Sequence, residues 1–182
     1  MKKLIGPFLR DKAGTVIAEF AMAFPLLILL VLGGFEIGRY VLLQQKLSGT
    51  SLAMADMVSQ AKTLTAADVD ALFQAVDPML TPFSMGDKGV VIITSISASG
   101  GQVPKINWQR KGGGTLSAVS LLGQPGGNAT LPPGFVVRDG ENMIAAEVFY
   151  NYTPIMNYPM IPMTAHQLYN EALYRPRFGA LT

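Results

Sequence analysis

Glu19 is the residue of this chain whose type and position most demand a chemical explanation. It stands five residues after Gly14, near the start of the long apolar run AGTVIAEFAMAFPLLILLVLGGF. A carboxylate left unpaired in a helix within lipid costs roughly 3 kcal/mol. Glu19 therefore needs either a partner or an escape, and two are available. It can pair with a cation buried beside it, or it can reach back from the helix end to the cytoplasmic headgroups.

Other residues could in principle do chemistry, and each has a plainer reading. His166 is the only histidine. A nucleophile and base arrangement needs more than a lone imidazole in a strand-like segment, so His166 reads as a surface or edge residue. Asp68 and Asp70 lack the remaining ligands and the turn glycine of a calcium loop, and they suit the N-terminus of a helix. Gly112-Gly113-Gly114 follows Arg110-Lys111 but lacks the lysine and hydroxyl of a phosphate-binding loop, so it reads as a flexible turn. Asn128-Ala129-Thr130 and Asn151-Tyr152-Thr153 match the short glycosylation triplet. The aromatic and methionine residues of 149–163 could form a binding surface, or could be a tyrosine-rich strand packed under a proline-rich loop. With no cysteine, neither a disulfide nor a thiolate metal site is open to the chain. No residues are assigned as catalytic or metal-binding, and no cofactor is expected.

The elements that must position Glu19 follow from the charge pattern. Apolar residues make up 49% of the chain and charged ones only 14%, high and low respectively for a soluble protein. Between 13 and 45 the only charged side chains are Glu19, Glu36 and Arg39, and 20–35 has none. With its apolar flanks this stretch predicts one membrane helix. Lys2, Lys3, Arg10 and Lys12 precede it, so the positive-inside bias places the N-terminus in the cytoplasm and the residues after about 45 across the membrane. The net positive charge is confined to residues 1–14, which hold +3 against −1 for the remainder, and nothing in the remainder suggests a nucleic-acid surface.

Helical periodicity continues past the membrane stretch through Leu43, Leu47, Met54, Met57, Val58, Ala61 and Leu64. A continuous helix over 15–62 would be about 70 Å long, with Pro25 inside it as a site of bending and Gly49 as its weak point. Thr65 and Asp68 form a capping signal for a second helix over 66–79, closed by Pro78 and Pro82. The pattern then changes to strands at 90–97, 105–109, 141–152 and 166–175, with Ile144, Ala146, Val148, Tyr150 and Tyr152 at period two. Residues 110–134 read as loop, with a helical turn at 116–122. The expected fold is α+β: a long N-terminal helix and a small extracytoplasmic domain whose antiparallel β-sheet packs on the helix. The expected division is a basic leader at 1–14, a transmembrane helix at 15–42, an amphipathic extension at 43–64, and an extracytoplasmic domain at 65–182.

Three readings of the N-terminus compete. A cleaved secretory signal is interrupted by Glu19 and Pro25 and lacks a good small-x-small site at residues 32–35. A plain signal anchor carrying an outer binding module gives the topology and leaves Glu19 unexplained. The third rests on Gly14-Thr15-Val16-Ile17-Ala18-Glu19-Phe20 with Pro25, followed by Gly34-Phe35-Glu36-Ile37-Gly38-Arg39. This stretch resembles the TadE-like minor pilins, or pseudopilins, of the tight-adherence (Tad/Flp) type IV pilus. The Tyr150-Asn151-Tyr152-Thr153-Pro154 element is also similar to one found late in such domains.

The resemblance implies a leader cut between Gly14 and Thr15 by a membrane prepilin peptidase, with Glu19 and Phe20 then fifth and sixth in the mature chain. Phe20 departs from the tyrosine usual in major pilins and favours the TadE-like branch. A side-chain-free Gly14 offers no obstruction at the scissile bond. The new ammonium at Thr15, on the same or a neighbouring chain, would be a partner for Glu19. The resemblance further implies a non-enzymatic role in initiating, priming or capping pilus assembly for surface adhesion. Its implied partners are the prepilin peptidase, other minor pilins, the major pilin, the inner-membrane assembly platform and the lipid bilayer. Its implied location is the bacterial inner membrane, with a periplasmic C-terminal domain.

Overall fold

The computed structural model describes residues 13–61, 63–155 and 164–176. Most of the leader, and the Pro159 and Pro162 crossing, lie outside them. The chain forms two compact units, Met1–Tyr40 and Val41–Thr182. One helix, α1 (Ala13–Ser59), contributes to both and contains Pro25. In the first unit its apolar side chains lie in the open, including Val16, Ile17, Phe20, Met22, Leu30 and Val31. The helix has an 18-residue window of mean hydropathy 2.4, long and apolar enough to cross a membrane.

Within the second unit α1 becomes amphipathic. Leu43, Leu47, Met54, Ala55 and Val58 are buried, at the helical spacing that aligns one face. Gly49 lies off this stripe and does not interrupt the helix. The buried hydroxyls of Thr50, Ser51 and Ser59 donate to the carbonyls of Lys46, Ser48 and Asp56, which satisfies them within the helix itself. The helix stops at Ser59, short of the expected residue 62. The final bond from the Ala61 N–H reaches the Val58 carbonyl, a tightened last turn of the kind that ends helices.

Thr65 caps α2 (Ala66–Gln74) with a complete capping box, its hydroxyl accepting from the Asp68 N–H while the Asp68 carboxylate accepts from the Thr65 N–H. The Thr65 hydroxyl also donates to the Asp68 carboxylate at 2.7 Å, and this bond, followed by the one from the Thr65 N–H, holds the Asp68 carboxyl below its ordinary value. The single helix expected over 66–79 is two pieces, α2 and α3 (Val76–Leu80). Pro78 lacks the N–H that would bond back to Gln74, but it fits the first turn of a new helix, where that donor is not needed.

Four strands, β1 (Gly89–Ser97), β2 (Lys105–Gly112), β3 (Asn142–Tyr152) and β4 (His166–Tyr174), form one antiparallel sheet in the order β2-β1-β3-β4. Strand β2 extends past the expected residue 109, because Arg110, Lys111 and Gly112 pair with Ile93, Ile92 and Val91. One face of the sheet carries Val91, Ile93, Ile144, Ala146 and Val148. It belongs to the core that includes the α1 stripe, and Asn170 of β4 donates to the Gln44 side chain of α1 at 3.1 Å.

The opposite face is also covered, which the period-two pattern of β3 did not anticipate. Val90, Ile92 and Phe149 pack with Leu116, Ala118 and Tyr169, while Ile96, Met143 and Ala145 pack with Leu122, Leu131 and Val137. The cover is the glycine- and proline-rich segment, which has no helical turn at 116–122. Both faces of β3 are therefore core.

Candidate functional site

The residues of the N-terminal motif sit in one uninterrupted helix. Gly14, Thr15, Glu19, Phe20 and Pro25 all belong to α1, and all five are exposed. Helical side chains tilt toward the N-terminus, and residues four apart share a face. Glu19 therefore shares a helix face with Thr15, one turn away. The Gly14–Thr15 bond lies among the first residues of α1. No atom would meet a Cβ at Gly14 within 4 Å. The Phe20 and Phe24 rings lie 5.7 Å apart on the exposed surface, a tilted aromatic pair of favourable geometry.

Near the end of the first unit, Glu36 is buried, and the Arg39 guanidinium donates to its carboxylate at 3.3 Å. Sequence inspection sees both charges but not the pair. Opposite charges three apart in a helical pattern are the signal that finds it.

Residues 14–56 match the family model described as TadE-like protein. Over these residues the helix is similar to TadE-like proteins. The match covers the whole motif from Gly14 through Arg39 and continues into the amphipathic part of α1, while residues 57–182 lie beyond it. No curated protein and no solved structure gives a significant match to the chain.

Outside the matched segment, the residues considered for chemistry take structural places. His166 is exposed, with its Nδ1 3.0 Å from the Thr164 carbonyl and its ring 5.6 Å from that of Tyr152. Asp68 is used by the capping box. The three glycines after Lys111 provide close packing rather than a phosphate cradle. A Cβ on Gly112 would collide with the Phe73 ring, one on Gly113 would come within 3.1 Å of Val76, and one on Gly114 would fall on the Gly89 carbonyl oxygen. Phe149, Tyr150 and Tyr152 are buried, so the aromatic residues of β3 belong to the core and not to a binding surface. Residues 156–163 of that proposed surface lie outside the described residues.

One group escaped sequence reasoning. Glu147, in the centre of β3, is fully buried beneath the covering segment. Its carboxylate accepts from the Ser120 hydroxyl, from the Leu121 N–H at 2.9 Å and from the Tyr169 hydroxyl at 3.2 Å. The Leu122 N–H in turn donates to Ser120 Oγ at 3.2 Å. Burial is the main cause that raises the Glu147 carboxyl above its ordinary value, against the lowering effect of these hydrogen bonds. The period-two pattern gave no sign of it, because an acidic residue between apolar ones reads as the solvent face.

Proposed function

We propose that this protein is a TadE-like minor pilin or pseudopilin of a Tad pilus. In this reading the leader at 1–14 is removed by a prepilin peptidase between Gly14 and Thr15. The mature chain stands in the bacterial inner membrane with its N-terminus cytoplasmic and its α+β domain periplasmic, and it helps to initiate, prime or cap pilus assembly without an enzymatic activity of its own. Its α1 packs against the helices of the major pilin and of other minor pilins, and it engages the assembly platform of the inner membrane.

The observation that carries this reading is an apolar, exposed helical surface interrupted by a carboxylate one turn beyond Thr15. A lipid anchor gains nothing from Glu19, which costs roughly 3 kcal/mol if unpaired in the bilayer. An ammonium created at Thr15 offsets that cost. Pairing within one chain leaves the helix able to enter the membrane, and pairing with a neighbouring chain fixes the axial register of two subunits.

The deciding experiment is an intact mass of the chain after co-expression with its cognate prepilin peptidase. The expected product begins at Thr15. A chain that keeps its leader under these conditions overturns the proposal and leaves a membrane-anchored binding module as the better reading.

A further inference from the structure

Trp108 and Arg110 stand on the edge strand β2, opposite Ser95 and Ile93 of β1. Alternate residues of a strand share a face, so both lie on the same side as Gly112. At Gly112 the helix α2 comes close to the strand, because the Phe73 ring occupies the space that a Cβ would need. Where α2 begins, the two elements stand further apart. A cleft of about 190 Å³ remains there, lined by Leu64, Thr65, Ala66 and Val69 from the start of α2 and by Trp108 and Arg110 from β2.

The lining is apolar except at one point. Leu64, Ala66, Val69 and the half-buried Trp108 indole offer carbon surface, and Arg110 supplies the single charge. Among the described residues the exposed Arg110 guanidinium makes no hydrogen bond or ion pair. Asp68, the acidic residue in the first turn of α2, is not its partner. That carboxylate accepts from the Thr65 N–H and hydroxyl at 2.9 and 2.7 Å.

We propose that this cleft is a binding site for a carboxylate carried on an apolar group of about the size of one aromatic ring. An apolar cavity of about 150 Å³ is large enough to take up benzene, so the cleft has room for one ring and a short substituent. The ring lies against Trp108 and Val69. The carboxylate is held by Arg110, whose planar fork of N–H donors matches its two oxygens. A simple inorganic anion would leave the apolar walls in water, and a neutral ring would leave the guanidinium without a charged acceptor. A free organic acid and the C-terminal residue of a peptide both present this chemistry. The site is separate from the Gly14 to Arg39 motif, and it stands or falls independently of pilus assembly.

Trp108 is the only tryptophan of the chain, so its fluorescence reports on the cleft. The test titrates the full-length chain in detergent micelles, near neutral pH, with phenylacetate and with its uncharged counterpart phenylacetamide. A saturable change in Trp108 emission is expected with the acid, with a dissociation constant of about 1 mM for a ligand this small. The amide should bind about tenfold more weakly, since it lacks the charge-assisted contact. A parallel titration with the tripeptide Gly-Gly-Phe identifies the source: tighter binding than phenylacetate assigns the site to a chain terminus, and weaker binding to a free acid. Arg110→Gln is expected to remove the preference for acid over amide. Ala66→Leu, at an exposed position of α2, should fill the cleft and weaken both ligands. In the unsubstituted protein, no saturable response to phenylacetate, or equal affinity for acid and amide, overturns the proposal whether or not the variants fold. A preference for the acid that persists in a folded Arg110→Gln protein overturns it as well.

Discussion

Glu147 and Glu171 are cross-strand partners, and the hydroxyl of Tyr169 lies within hydrogen-bonding distance of both carboxylates. Like charges at opposed positions of an antiparallel pair are destabilising, so the sheet holds this arrangement only because the covering segment supplies further donors. The carboxylate links the glycine-rich segment to the central strand pair and is part of what makes that segment a second layer.

Removing the carboxylate therefore has a cost that depends on what replaces it. Glu147→Ala leaves the Leu121 N–H and the Ser120 hydroxyl without their acceptor beneath a buried surface, and is expected to destabilise the outer domain by about 2–4 kcal/mol. Glu147→Gln keeps the shape and one acceptor oxygen and removes the buried charge, so it should lie within about 1 kcal/mol of the parent at pH 8. Urea unfolding at pH 5 and pH 8 checks both. The parent should be the more stable at pH 5, since its raised carboxyl favours the protonated form, and the glutamine variant should lose that dependence.

The glycines divide into two kinds with opposite expected signs. A methyl group at Gly114 has to displace the Gly89 carbonyl, and one at Gly112 the Phe73 ring. Each alanine substitution should cost about 1–3 kcal/mol. At Gly49 the added Cβ would meet nothing within 4 Å, and the residue is in the middle of α1. Gly49→Ala should stabilise by about 0.5–1 kcal/mol through its better helix propensity. Thermal unfolding of the three variants separates the signs, and a stabilising Gly114→Ala would contradict the packing described for that loop.

These two cases also mark how far the sequence was readable. Apolar spacing from Leu43 to Val58, the Thr65 and Asp68 cap, and the β-branched run of β1 each carry a local signal, so the long helix, the start of α2 and the antiparallel sheet were legible. So was the resemblance to TadE-like proteins, because the residues that carry it lie within a few turns of one helix. Glu147 was not. Its burial comes from a segment about 26 residues away in sequence whose glycines and prolines have no periodicity, and a strand covered on both faces loses the alternation that would reveal it. The glycine tract was misread as a flexible turn for the same reason. Only the tertiary approach of Phe73, Val76 and Gly89 explains it.

Arg39 provides a test within the first unit. Its guanidinium donates to the buried Glu36 carboxylate, and removing one partner of such a pair is more damaging than replacing both. Arg39→Ala is expected to lower the melting temperature in detergent more than the Glu36→Gln/Arg39→Ala double substitution does. The double-mutant cycle should return a coupling of about 1–3 kcal/mol. Additive effects would show that the two side chains are held independently.

Glu19 sits where a change of one functional group separates anchoring from assembly. Glu19→Gln keeps the length and polarity of the side chain but cannot pair with an ammonium at Thr15. Since an uncharged amide is easier to place in lipid than a carboxylate, membrane insertion should be undiminished or improved. Pilus assembly should fall steeply if the carboxylate aligns a neighbouring subunit. Glu19→Asp retains the charge but shortens its reach by one methylene, so assembly should be intermediate. Fractionation of membranes reports insertion, and pili recovered by shearing report assembly. Equal pilus yields from the parent and the glutamine variant, with insertion unchanged, would assign Glu19 to the headgroup layer and remove its role in subunit register.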